Sequence, residues 1–210
     1  MPKKPKGTDG FVILSSHNNV GGPVEIQLSS NKREREIEII SMFQSSLERW
    51  DSKILRILDF KDNDESDYDF SVNTNDGPAF VELTEFAPSR GGSPYNNTDQ
   101  IYNVGDMADQ FKSLVDKKNS HYSRGERNII LLVYHTHFAF AIERPLLDVI
   151  RFDINRQNTI FKYVYFFSPL GSGSSFRLIY PCDFTIDVVN AIALRKKCYS
   201  FSNPTEVIEE

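Results

Sequence analysis

The sequence predicts an α/β fold laid out as helix, strand, strand, strand, helix, strand, and three patterns carry that expectation. Residues 32–50 (KREREIEIISMFQSSLERW) and 105–122 (GDMADQFKSLVDKKNSHY) repeat apolar side chains at the helical period. Between them, residues 69–85 (DFSVNTNDGPAFVELTE) alternate in the manner of a strand on either side of Asn75-Asp76-Gly77-Pro78, which is strong turn chemistry. Residues 128–134 (NIILLVY) are almost continuously apolar, as expected of a strand covered on both faces.

The first helix has Ser30 or Asn31 as its N-cap and places Ile40, Phe43, Leu47 and Trp50 on one stripe. Glu36 falls in the middle of that stripe, where a lone carboxylate is costly to bury. Glu34 and Glu38 fall off it and read as solvated. Ile54 to Phe60 reads as a buried strand, followed by an acidic loop at 62–67. In the hairpin, Tyr68, Phe70 and Val72 alternate with Asp69, Ser71 and Asn73. On the returning strand Phe80, Glu82, Thr84 and Phe86 share one face, and Ala79, Val81, Leu83 and Glu85 share the other.

Residues 87–103 are rich in Pro, Gly, Ser and Asn, and a loop this long is often functional. The second helix has its stripe at Met107, Phe111, Leu114, Val115 and Tyr122. Lys118 lies near the centre of that stripe, where packing alone would ask for leucine, whereas Lys112 and Lys117 point away. Beyond the apolar strand, a helix is expected at 145–155, strands at 161–167 and 176–180, and a last helix at 184–196. Residues 11–28 suggest two short strands or an extended arm.

Composition sets the outer bounds. The chain has 210 residues, 40% of them hydrophobic, which suits one domain over 11–210 behind a disordered basic tail at 1–10. With a formal net charge of −5, any nucleic-acid contact must come from a local basic patch. The two cysteines, Cys182 and Cys198, have no zinc spacing and suit a reducing, cytoplasmic compartment. No segment approaches about 20 continuous apolar residues, so no membrane span is expected. Neither a GxSxG elbow nor a GxxxxGK[ST] loop is present, which argues against serine hydrolysis and ATP use. His135 and His137 read as a surface pair.

The order of elements, with Asp69 opening the hairpin and Glu82-Leu83-Thr84 inside its second strand, resembles the PD-(D/E)XK nuclease superfamily. That family has a restriction-endonuclease-like α-β-β-β-α-β core with a mixed central sheet flanked by helices. The resemblance covers roughly residues 32–135, leaving the later strands and helix as additions. The family places an Asp at the start of the second core strand and an acidic-x-Lys triplet on the third. Here Tyr68 precedes Asp69 where the family has Pro, and Thr84 stands where it has Lys. Some members supply that lysine from the following helix, in a run that often ends in Lys and Tyr, as Lys118 and Tyr122 do. Many also carry a Glu on the first helix, which Glu36 matches.

The resemblance implies a metal-dependent nuclease hydrolysing phosphodiester bonds, expected to act on DNA in a bacterial defence, restriction or repair setting. Asp69, Glu82 and the Leu83 carbonyl would hold Mg²⁺ or Mn²⁺, and Glu36 would hold a metal-bound water or a second ion. Lys118 would orient or help deprotonate the attacking water, or stabilise charge on the phosphorane, and Thr84 would hydrogen-bond water or phosphate. Arg90, in Ser89-Arg90-Gly91-Gly92, and Gln110, at the stripe edge, are candidate substrate-binding residues. Enzymes of this kind often cut two strands as dimers, so a homodimer or a partner protein belongs to the same expectation. Two other functions stay open. The missing strand lysine suits a degenerate relative that binds nucleic acid or protein without cutting. Solvated hairpin acids would instead suit an unrelated interaction module.

Overall fold

A computed structural model describes residues 28–63, 68–87, 101–122, 128–136, 140–170, 173–183 and 185–200. The expected arm at 11–28, apart from Leu28, and the basic tail lie outside these residues. So do most of the acidic loop and Arg90.

Helix α1 runs Lys32–Arg49, and the side chain of Asn31 caps it by accepting from the N–H groups of Arg33 (2.8 Å) and Glu34 (3.3 Å). Strands β1 (Ile57–Asp62), β2 (Phe70–Thr74) and β3 (Gly77–Glu85) follow. The short β4 (Ile101–Asn103) leads into α2 (Val104–His121) and then β5 (Ile129–Tyr134). The remaining elements are α3 (Arg144–Asn155), β6 (Tyr163–Ser168), β7 (Ser175–Tyr180), α4 (Val188–Arg195) and β8 (Cys198–Ser200). The α-β-β-β-α-β order thus forms as expected, with β4 as an extra short strand ahead of α2.

Six strands make one mixed sheet in the order β1-β2-β3-β5-β6-β7. The pairs β1–β2, β2–β3 and β6–β7 are antiparallel; β3–β5 and β5–β6 are parallel. Parallel neighbours need a crossover, and α2 and α3 supply the two crossovers here. Period-two alternation sends the strands' side chains to two cores. Val72, Ala79, Val81, Leu83, Ile130 and Leu132 pack with Ile39, Ile40, Phe43 and Leu47 of α1. Phe86, Ile129, Leu131, Val133 and Phe166 pack with Met107, Phe111 and Val115 of α2 and with α3. β5 is buried along its whole length, as its apolar run requires.

Four expectations are corrected. Ile54–Phe60 does not form a buried strand: β1 begins at Ile57, sits at the sheet edge, and leaves Leu58 65% exposed. Its register shifts between Ile57 and Asp59, which breaks the alternation. Trp50 leaves the α1 stripe because the helix has ended there; it is 63% exposed and its indole N–H reaches the Ser174 carbonyl at 3.4 Å. Tyr68 does not share a core with Phe70 and Val72. It precedes β2 and turns to the α2 side. His135 is buried rather than superficial. Beyond these, the end of the 87–103 stretch is not all loop, since β4 pairs antiparallel with β8.

Candidate active site

The hairpin sets the site. Phe70 pairs with Val81 and Ser71 with Phe80, so Asp69 stands at the open end of the ladder beside Glu82. The strand has ended at that point, and Asp69 Oδ2 accepts the Leu83 N–H at 2.7 Å. A carboxylate therefore supplies the rung that backbone would otherwise make, which pins Asp69 against β3. Glu82 lies on the α2 face of β3, the face of Phe80 and Phe86, and is only 5% exposed.

Helix α2 crosses that face. Its buried residues Met107, Phe111 and Val115 fix its rotation, and one turn past Val115 the Lys118 side chain reaches inward. Lys118 Nζ donates to Glu82 Oε1 in a charge-assisted bond. Tyr122, the C-cap, donates its hydroxyl to the same carboxylate. Tyr122 is held by a stack of rings: Tyr68 lies 4.8 Å from Tyr122 and 4.6 Å from Phe80, nearly parallel to both.

The electrostatics follow from this crowding. Burial, and then the charge of Asp69, push the Glu82 carboxyl above its ordinary value; Lys118 and Tyr122 oppose the rise. Burial and the bond to Glu82 push the Tyr122 hydroxyl well above its ordinary range, so it keeps its proton and acts as a donor. Two adjacent carboxylates, one buried, favour a cation between or beside them. Among the described residues, no group of three or more His, Cys, Asp or Glu side chains is placed to hold a metal. The donor set suits an ion that takes one or two carboxylates and keeps its waters, as Mg²⁺ does, and does not suit a zinc centre.

The other named residues fall as follows. Glu36 is buried on α1, on the opposite side of the sheet from Lys118, and pairs with Lys32 (3.4 Å) and Arg33 (3.5 Å). Arg33 also pairs with Asp62 and donates to the Asp69 backbone carbonyl at 3.2 Å. A guanidinium thus links Glu36 to the Asp69 main chain. Thr84 is half-buried on the strand face that carries Glu82. Gln110 donates to the Asp106 carbonyl at 3.4 Å and lies roughly 12 Å along the helix axis from Lys118. Arg90 lies outside the described residues. Arg33 and the Tyr68 ring were not foreseen as parts of the site. The i,i+3 spacing of Arg33 and Glu36 was a signal for the first, and the aromatic ring in place of proline before Asp69 was one for the second.

The chain matches no protein-family model and no curated protein. Among solved structures it is similar to Pyrococcus furiosus SfsA, determined in complex with Ca²⁺. The identity is 12%, with 80% of this chain and 74% of that chain covered, at a TM-score of 0.31. So distant a likeness leaves the site to be judged on its own geometry.

Proposed function

We propose that this chain is a metal-dependent nuclease that hydrolyses phosphodiester bonds, with Mg²⁺ or Mn²⁺ as cofactor and DNA as substrate. One observation carries the reading: Lys118 of α2 bonds to Glu82 beside Asp69, on the strand face where Thr84 leaves the lysine position empty. A surface hairpin with solvated acids would have no reason to bury Glu82 under a lysine drawn from the middle of a helix stripe.

In this reading Asp69, Glu82 and the Leu83 carbonyl hold the metal. Bound there, the ion would supply activation of water and neutralisation of charge on the phosphate. The chain's own residues do the rest. The Leu83 N–H and Arg33 fix Asp69 from its side chain and its backbone. Tyr122 fixes Glu82 while staying protonated. Lys118, with three donors, turns part of its hydrogen bonding from Glu82 to the phosphate and stabilises the charge that grows there in the transition state. Glu36 holds Arg33 in place and so acts through it, as a positioning residue.

Nicking of supercoiled plasmid with Mg²⁺ or Mn²⁺ tests this. Wild type should cut, and Glu82→Ala and Lys118→Ala should each lower the rate by roughly 100-fold or more. Undiminished cutting by Lys118→Ala would remove the lysine assignment. No cutting of DNA or RNA by wild type, with binding retained, would instead favour a non-cutting relative, for which the absent strand lysine at Thr84 speaks.

A further inference from the structure

A second polar cluster lies at the other end of the sheet, away from the acid pair. β6 and β7 pair Phe166 with Arg177 and Ser168 with Ser175, so these four side chains share one face of the ladder. Together with Glu143 and Leu170 they line a half-open cavity of about 280 Å³. It lies against the carboxyl-terminal half of β6 and the paired first half of β7. Glu82 is two strands away on β3, roughly 10 Å across the sheet.

The cavity wall is built rather than incidental. His135, 1% exposed at the end of β5, holds the Ser168 hydroxyl through Nε2 at 2.9 Å and stacks on Phe166 at 5.4 Å. A buried imidazole behind a cavity-lining serine fixes where that hydroxyl sits. Arg177 is exposed, and among the described residues its guanidinium bonds only to the carbonyl of its neighbour Phe176, at 3.0 Å. Among the described residues neither Arg177 nor Glu143 takes part in an ion pair. Two opposite charges thus face one space without neutralising each other. The mechanism proposed above uses none of these groups.

We propose that this cavity binds a mononucleotide. Arg177 with the Ser168 and Ser175 hydroxyls gathers several donors, which suits a tetrahedral phosphate better than a carboxylate. Phe166 and Leu170 give an apolar wall for a flat base. Glu143 accepts from an exocyclic amine, which favours amine-bearing bases such as adenine and cytosine over uracil. The volume is room for about nine waters at ~30 Å³ each, and its open side lets the sugar project outward.

Calorimetric titration in EDTA tests the proposal apart from the metal site. AMP or CMP should bind saturably, with inorganic phosphate, adenosine and UMP each at least about tenfold weaker. Arg177→Ala should weaken AMP by a similar factor, and Glu143→Gln should erase the preference for AMP over UMP. Arg177 is on the surface, so its loss should leave the fold intact, which the melting curve checks. Glu82→Gln should leave the binding unchanged, even if the nuclease reading fails. The proposal is overturned by an absence of saturable AMP or CMP binding at millimolar concentration. It is equally overturned by AMP affinity that survives Arg177→Ala, or by affinity that depends on Glu82 instead.

Discussion

Glu82 concentrates the tension of the site in one side chain. Its carboxyl is raised from 4.5 by burial and by Asp69. A raised acid binds its proton more tightly in the folded chain than in the unfolded one. Its favourable contribution is therefore complete below pH 4.5 and is lost as the pH climbs through the raised value. Without metal, the melting temperature of wild type relative to Glu82→Gln should fall across that window, as scanning calorimetry at several pH values would reveal. A flat difference would mean that Lys118 already neutralises the buried charge. Tyr122→Phe removes one donor to Glu82 while keeping the ring on Tyr68, so it should push the Glu82 carboxyl further up and move the inflection to higher pH. At this scale Asp69, Glu82 and Lys118 were legible because each breaks a local pattern: an acid opening a strand, an acid on a core face, a lysine in an apolar stripe. Arg33 was less so, because its only local signal is the i,i+3 spacing to Glu36 within a charged run, and its reach to the Asp69 carbonyl depends on the packing of α1 against the sheet.

Among the elements, α1 and α2 were legible almost to the residue, since apolar periodicity marks each and an asparagine cap marks the first. Asn31→Ala should lower stability by about 1 kcal/mol, measurable by urea titration, because the first-turn N–H groups lose their acceptor. β1 was misjudged because an edge strand with a register shift loses the alternation that a local reading relies on. β4 and β8 could not be seen at all. Each has three residues, and they are strands only because they find each other across almost a hundred residues of chain. The packing of α2 on the sheet is what carries Lys118 to Glu82. Phe111, fully buried and edge-on to Phe86 at 5.4 Å, anchors that packing. Phe111→Ala should destabilise the chain by roughly 3–5 kcal/mol and reduce activity beyond the loss of folded protein.

The candidate acid pair stands at a sheet packed between two separate cores, so ion binding there and the stability of the fold are thermodynamically linked. An ion that binds only the folded chain raises its stability by RT ln(1 + [L]/Kd), about 2.7 kcal/mol at a hundredfold excess over Kd. Mn²⁺ should accordingly raise the melting temperature of wild type and leave that of Glu82→Gln unmoved; equal shifts in both would place the ion elsewhere. The rung that Asp69 makes to Leu83 gives this linkage a reporter. A carboxylate drawn toward an incoming ion must loosen its hold on that amide, and one released by a departing ion must tighten it. The Leu83 amide proton, watched by its exchange rate with solvent and by its resonance, would then register the state of the proposed metal site from inside the backbone, with no label and no substrate.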